Sequence, residues 1–105
     1  MPSFRVRLQI GDLLPGHAPE EVMATAEAAL ASVYTVEAKD LEVVARVPRI
    51  VLRFTVPEST WDGENRAALS AAAQMRLAVM EVATTGRLEV LRRARGRWEP
   101  VGPGR

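Results

Sequence analysis

The chain contains no cysteine among its 105 residues, and it has one histidine and one lysine. Without cysteine, disulfide bonds, thiolate metal sites and a cysteine nucleophile are all excluded. His17 lies in a loop between two prolines, and no serine or tyrosine beside it completes a recognisable catalytic arrangement. The prediction is an incidental loop histidine, with no catalytic residue, no metal ligand and no cofactor assigned. A metal site that combines His17 with Asp12, Glu20 and Glu21 is the minor alternative.

Phosphate-binding motifs and long apolar runs are also missing. Neither glycine-rich nucleotide motif occurs, and the only lysine, Lys39, follows no glycine loop. The longest apolar stretches are interrupted by Glu, Gln or Arg within a few residues, which argues against a membrane span. The first residues enter an alternating pattern directly and lack the apolar core of a signal peptide. The sequence therefore predicts a cytoplasmic protein with no membrane partner.

Hydrophobic residues make up 48% of the chain, enough for one core that needs no disulfide or metal. We expect a single domain over residues 1–98, followed by a flexible C-terminal tail over residues 99–105. The net charge is only +1, but it is unevenly distributed. Residues 1–45 carry three basic residues against seven acids, and residues 46–105 carry eleven arginines against six acids. Thirteen of the fourteen basic residues are arginine, which fits either a GC-rich genome or selection for binding anions.

The first half of the chain predicts a strand, a helix and a hairpin. Residues 4–10 alternate apolar and polar side chains, as a half-buried strand does, and Gly11-Asp12 is expected to end it. Pro19 opens a helix predicted over residues 19–33. Residues 34–40 are either a loop or an extension of the next strand. From Leu41 the alternation returns, and the residues expected on the buried face are Leu41, Val43, Ala45 and Val47. A tight turn at Pro48-Arg49 would place Val47 opposite Ile50, so that Ile50, Leu52, Phe54 and Val56 continue the buried set.

The second half predicts a long helix over residues 64–85, with Asp62 as its N-cap and Gly86 after its end. This helix carries two apolar stripes, which implies that it contacts two neighbours. One stripe is Ala68, Ala72, Met75, Val79 and Val82, and the other is Leu69, Ala73, Leu77, Met80 and Thr84. Leu88 and Val90 begin a last strand, which fades into an arginine-rich segment before the tail.

This element order predicts an α+β fold, a ferredoxin-like β-α-β-β-α-β sandwich. Its four-stranded antiparallel sheet would have the order 4-1-3-2 and both helices on one face. The layout resembles several small uncharacterised actinobacterial domains and, more loosely, dimeric α+β barrel proteins. The resemblance rests on layout and composition, so it implies a bacterial protein and assigns no residue and no activity.

The sheet face that the helices leave uncovered is the most informative predicted surface. By strand parity it carries seven arginines and two glutamates around a small apolar centre. Trp61 and Trp98, each beyond the end of an element, are predicted to plug the core or to line a pocket. The candidate pocket or interface residues are Arg5, Arg7, Arg46, Arg53, Val44, Val51, Leu91, Trp61 and Trp98.

Three functions remain open from the sequence. The leading hypothesis is a non-catalytic binding or interaction module that acts as a homodimer, through the long helix or the arginine face, with a small molecule or a protein as ligand. The alternative is a cofactor-independent enzyme of the dimeric α+β barrel type, in which His17, Tyr34, Trp61 and an inward arginine are candidates. The third is a weak RNA or DNA binder. It is disfavoured because the central strands present no outward aromatic residue and the total charge is near neutral.

Overall fold

In the computed structural model, which describes residues 1–102, the chain is an α+β fold with a five-stranded antiparallel sheet and two helices. The elements are β1 (Ser3–Leu13), α1 (Pro19–Ala31), β2 (Thr35–Val44), β3 (Val47–Thr55), α2 (Trp61–Val79), β4 (Ala83–Ala94) and β5 (Arg97–Val101). The sheet order is β2-β3-β1-β4-β5. The first four strands have the order expected from the sequence, but the prediction of four strands is only partly matched. No helix in the described chain is long and apolar enough to cross a membrane.

The core lies between the two helices and one face of the sheet. The alternation of β1 is confirmed, because Phe4, Val6 and Leu8 are fully buried. They meet Leu52 and Phe54 of β3, which are fully buried as well. The Phe54 ring stacks on Phe4 with a centroid distance of 6.0 Å and on Tyr34 with 6.3 Å. Tyr34 thus packs against the core after the end of α1, and it does not line an enclosed pocket.

Both helices bury the apolar side that the sequence indicates. In α1 these residues are Val22, Ala26 and Leu30, and in α2 they are Ala68, Ala71, Ala72, Met75 and Val79. The side chain of Glu21 accepts a hydrogen bond from the Ala18 backbone N–H at 2.8 Å, which satisfies one free donor at the start of α1. The interior is therefore filled by side chains from both layers.

The β1 strand runs past Gly11-Asp12, where the sequence analysis expected it to end. The Asp12 backbone N–H donates to Thr84 Oγ1 at 2.7 Å, and the Leu14 N–H donates to the Val82 carbonyl at 2.9 Å. Gly11 lies so close to Thr84 that a Cβ atom there would collide with the threonine hydroxyl. Pairing with β4 therefore extends β1, and the glycine permits the close approach.

The β2–β3 hairpin turns at Ala45-Arg46, so the predicted turn at Pro48-Arg49 is wrong. Val44 pairs with Val47, and the two turn residues have φ angles of 53° and 67°, as in a type I′ turn. Pro48 lies in β3 opposite Val43. In a two-residue hairpin this second pair exchanges no hydrogen bonds, so proline is tolerated there. The ambiguous residues 35–40 belong to β2.

The α2 helix begins and ends earlier than predicted. Its N-cap is Thr60, whose Oγ1 accepts a hydrogen bond from the Gly63 N–H at 3.0 Å, and Asp62 lies in the first turn. The helix ends at Val79, and Gly86 lies within β4. A run of β-branched residues, among them Val82, Thr84 and Thr85, favours a strand over further helix.

A fifth strand follows β4 through a turn at Arg95-Gly96, where both residues have positive φ angles. The sequence analysis placed Glu99, Pro100 and Val101 in a tail, whereas they belong to β5. Residues 103–105 of the expected tail lie outside the described residues. The added strand carries Trp98 into the sheet.

Candidate functional site

The sheet face opposite the helices, here called the open face, carries three of the four predicted arginines, Arg5, Arg7 and Arg53. Arg5 on β1 pairs with Arg53 on β3 and with Leu91 on β4, and Arg7 pairs with Val51 and Glu89. Directly paired residues in an antiparallel sheet point to the same face, so all of these side chains share the open face. Arg93 follows Leu91 by two residues in β4, so its side chain points to the open face as well.

The apolar centre of the open face is already covered. Val51 and Leu91 have exposed fractions of only 7% and 6%. Both helices lie on the other face, so we attribute this cover to neighbouring side chains of the open face, namely the aliphatic stems of the arginines and, beside Leu91, Pro100 of β5. Val44 is half-exposed at the hairpin end of the face, and Arg46 lies in the turn rather than on the face. The open face is therefore a layer of charge over two small apolar residues.

Ion pairs occupy one side of the open face. Arg49 contacts Glu42 at 2.9 Å and Glu89 at 3.9 Å, and Arg53 contacts Glu37 at 3.5 Å. Among residues 1–102, Arg5, Arg7 and Arg93 have no carboxylate within 4.0 Å. The arginines of the open face without a carboxylate partner therefore lie on β1 and at the far end of β4.

Trp98 lies beside these arginines because β5 pairs it with Arg93. The Arg5 guanidinium carbon lies 4.3 Å from the Trp98 ring centroid, and that of Arg93 lies 5.4 Å away. The sequence analysis treated Trp98 as a residue beyond the last strand and so missed an aromatic side chain on the open face. The signal that could have found it is Arg95-Gly96, which is a suitable sequence for a two-residue hairpin turn.

The second tryptophan, Trp61, belongs to a different cluster at the start of α2. It stacks on Arg92, whose guanidinium carbon lies 3.6 Å from the ring centroid. Arg92 is buried on the helix side of β4, where its Nη2 donates to Glu64 at 2.7 Å and its Nη1 donates to Asn65 at 2.9 Å. A groove of 460 Å³ between α2 and β5 borders this cluster.

Glu64 holds the Arg92 cluster together. Its carboxylate also accepts a hydrogen bond from the Ser59 backbone N–H at 2.8 Å. That hydrogen bond is the main cause of a lowered pKa of Glu64, and the hydrogen bond from Arg92 is the second cause. The sequence analysis missed the pair because Arg92 occupies an apolar position in the alternation of β4. The cluster connects the loop before α2 to the sheet, so its role is to stabilise the fold.

Of the three acidic residues that the sequence grouped with His17, Glu21 contacts it. The His17 Nδ1 lies 3.0 Å from Glu21 Oε2. This hydrogen bond lowers the pKa of Glu21, and the Ala18 N–H adds to the effect. Within residues 1–102 no group of three His, Cys, Asp or Glu residues could hold a metal ion. The pair supports the start of α1.

The second stripe of α2 is largely exposed. Leu69 packs partly against the core, whereas Ala73 is exposed. The exposed fractions of Leu77 and Met80 are 64% and 47%. Thr84, the last residue assigned to this stripe, lies in β4 instead. We call Leu69, Ala73, Leu77 and Met80 the outer stripe of α2.

An apolar groove of 390 Å³ lies between α1 and the β2–β3 hairpin. Leu13, Met23, Leu41 and Pro48 line it together with buried core residues. The sequence analysis assigned Leu41 to the core, but its side chain is 60% exposed. The end of the hairpin extends past the helices, so no helix covers the side chains of Leu41 and Val43.

Comparison of the chain with models of protein families, with curated proteins and with solved structures found no match.

Proposed function

We propose that this chain is a small, non-catalytic binding module that acts as a homodimer, and that its copies meet through the outer stripe of α2. The observation that carries the proposal is the exposure of Leu77 and Met80 on a helix whose opposite side is fully buried. Exposed apolar side chains that continue a packed stripe mark a contact surface. A two-fold contact is the commonest way for a small chain to cover one.

The geometry of α2 supports an antiparallel pair of helices. If the two-fold axis passes near Ala73, the small side chains allow the helix backbones to approach closely, and Leu69 of each copy meets Leu77 of the other. In the same arrangement Arg66 of one copy approaches Glu81 of the other. Both residues are exposed, and neither has an ion pair within residues 1–102.

The open face is the less suitable dimer surface. The apolar residues at its centre, Val51 and Leu91, are already buried within the chain, so pairing the centres of two such faces would remove little apolar area from water. Arg5, Arg7 and Arg93 would also face the same arginines across the two-fold axis. Like charges brought together in a contact oppose association.

The filled interior supports a binding module over an enzyme of the dimeric α+β barrel type. Phe4, Leu30, Phe54 and Met75 are among the fully buried side chains that occupy the space between helices and sheet. The first four strands have the order of a ferredoxin-like sheet. We accordingly propose a ferredoxin-like domain that is extended by β5, in a bacterial cytoplasmic protein.

Light scattering on the purified chain tests the homodimer. We expect a mass near twice the 11.5 kDa of the chain at micromolar concentration. Leu77→Glu should return the mass to that of a monomer, because the contact places this side chain against the other copy. Leu41→Glu is the matched control, since Leu41 is comparably exposed but lies on β2.

Two results would contradict this proposal. A monomeric mass for the unmodified chain at every concentration would exclude the homodimer. A dimer that survives Leu77→Glu but dissociates with Leu41→Glu would move the contact to the apolar groove beside the hairpin.

A further inference from the structure

We propose that the open face binds a phosphate group, held by Arg5, Arg7 and Arg93 beside Trp98. This inference goes beyond the proposed dimer and does not depend on it, because the dimer contact lies on α2 at the opposite side of the sheet. The site lies on the surface for which the sequence suggested a dimer interface or a nucleic-acid contact.

The sheet register places four arginines at neighbouring positions of the open face, with Arg7 and Arg93 on either side of Arg5. Arg5 is the centre of the group, with Arg53 directly opposite on β3 and Arg7 next along β1 on the same face. Arg93 lies on the other neighbouring strand, diagonal to Arg5. Like charges placed on neighbouring strands destabilise a sheet, so this arrangement favours an anion that neutralises them.

Three of these four arginines have no ion pair in the described chain. Glu89 lies opposite Arg7 on β4, but its carboxylate contacts Arg49 and Arg87. Arg53 has Glu37 at 3.5 Å, whereas Arg5, Arg7 and Arg93 have no acidic partner within 4.0 Å among residues 1–102. Arg7 Nε is buried and makes no hydrogen bond to the described chain. A buried donor without an acceptor is costly. An anion bound beside this guanidinium would offset part of that cost through its charge.

The electrostatic environment of Arg5 leads to the same ligand. Burial of the Arg5 guanidinium lowers its pKa, and the nearby positive charges of Arg7, Arg53 and Arg93 lower it further. Glu42 opposes the effect but does not cancel it. An anion bound among these groups would interact favourably with all of them at once.

Trp98 orients the guanidinium group of Arg5. The Arg5 guanidinium lies over the indole ring at 4.3 Å, so the face of the guanidinium is occupied and its N–H edges remain available. Arginine binds phosphate through these edges, often with two parallel hydrogen bonds. A phosphate monoester offers three terminal oxygens and close to two negative charges, which suits three unpaired arginines better than a single carboxylate does.

Nuclear magnetic resonance on the full chain at low ionic strength tests the site, with inorganic phosphate as the probe. We expect saturable shifts of the Trp98 indole N–H and of the Nε–H signals of Arg5, Arg7 and Arg93. Arg7→Gln should weaken the affinity by about tenfold or more, because it removes a charged hydrogen bond. The matched control is Arg46→Gln. Arg46 lies in the hairpin turn and outside the proposed site, so this change should leave the affinity for phosphate unchanged.

Thermal unfolding of each variant without phosphate checks that the fold is intact. If Arg7→Gln and the control Arg46→Gln weaken the binding of phosphate equally, the site does not exist. The same conclusion follows if chloride at the same ionic strength gives the same shifts. Arg93→Gln provides a second variant from another strand, should Arg7→Gln fail to fold.

Two further probes distinguish the source of the phosphate. Glycerol phosphate presents a terminal phosphate dianion, and short oligothymidylate presents a chain of singly charged diesters with bases that can stack on Trp98. Tighter binding of glycerol phosphate identifies a small phosphorylated ligand. Tighter binding of oligothymidylate, with strong salt dependence, identifies a nucleic-acid backbone. Binding of neither probe, like a failure with inorganic phosphate, overturns the proposal.

Discussion

Phe54 is the residue on which the packing of the core depends most directly. It is fully buried in a central strand and stacks on both Phe4 and Tyr34. Replacing it by alanine should lower the free energy of unfolding by about 3–5 kcal/mol, through lost burial and the cavity left behind. Urea denaturation measures this loss, with Val43→Ala on exposed β2 as the control. A loss below about 1 kcal/mol for Phe54→Ala would contradict the assigned facing of the sheet.

Glu64 gives the protein a pH-dependent contribution to stability. Its pKa is lowered in the folded state by the Ser59 N–H and by Arg92, whereas in the unfolded chain the pKa is about 4.3. The stabilisation is therefore complete above the unfolded pKa and is lost as the pH falls through the lower, folded pKa. We expect the stability advantage of the unmodified chain over Glu64→Gln to shrink below about pH 4.

Urea unfolding at a series of pH values checks this expectation. Glu81→Gln is the control, since it removes an exposed carboxylate without an ion pair among residues 1–102. A difference between the unmodified chain and Glu64→Gln that stays constant from neutral to acidic pH would show that Glu64 does not titrate in this way.

Sequence alternation identified buried residues in β1 and β3 but could not show that the helix-side residues Leu41 and Val43 of β2 are exposed. Leu8 and Leu52 were predicted to be buried and are buried, whereas Leu41 is exposed although it has the same parity as its neighbours. Alternation reports which side of a sheet a residue faces. It does not report whether a helix covers that part of the sheet, and α1 does not reach the outer hairpin.

At the scale of the element, the turn at Ala45-Arg46 is an unusual choice of residues. Both have positive φ angles, which non-glycine residues avoid at a cost of about 1–2 kcal/mol each. Replacing the pair by Asn-Gly, the preferred sequence for this turn, should therefore raise the free energy of unfolding by roughly 1–2 kcal/mol. The same Asn-Gly replacement at Pro48-Arg49, which lie in a strand, should be destabilising and serves as the control.

Chemical denaturation of both variants separates the two possible turns. Stabilisation at 48–49 with destabilisation at 45–46 would mean that the hairpin turns where the sequence analysis first placed it. The misplacement itself has a clear origin, because proline is a strong turn signal and Ala-Arg is not. Pairing of β2 with β3 over their full length outweighed this local preference.

The fifth strand was missed for a related reason. Arg95-Gly96 is a compatible turn sequence, but the five residues of β5 include Pro100 and two charged residues, which are poor strand formers. Edge strands tolerate such residues, since one side of the strand has no neighbour to pair with. The strand forms because β4 offers it an unpaired edge, and this edge exists only once the sheet has assembled.

At the scale of the whole molecule, the proposed dimer should make stability depend on concentration. Association through α2 stabilises the folded state by mass action, so the unfolding temperature should rise with the concentration of the chain. Differential scanning calorimetry over a wide concentration range measures this rise. Leu77→Glu should abolish it, and Leu41→Glu should not. An unfolding temperature that is independent of concentration for the unmodified chain would argue against the homodimer.

The whole molecule also separates its surfaces by chemistry. The outer stripe of α2 is apolar, and the open face on the other side of the sheet carries Arg5, Arg7 and Arg93, which have no ion pair among residues 1–102. A small module could thus use one surface for its own copy and the other for an anionic ligand. Neither binding event would obstruct the other, because the core and the sheet lie between the two surfaces.

The sequence by itself determined the α+β class, the order of the first six elements, the buried side of β1 and both helices, and the presence of an arginine-rich sheet face. These features follow from local periodicity, which depends only on the alternation of polar and apolar side chains. The tertiary structure alone decided the turn at Ala45-Arg46, the fifth strand, the buried Arg92–Glu64 pair and the place of Trp98 beside Arg5. Each of these depends on pairing between strands or on contacts between residues far apart in the chain, and such long-range contacts can override the preference of any short segment.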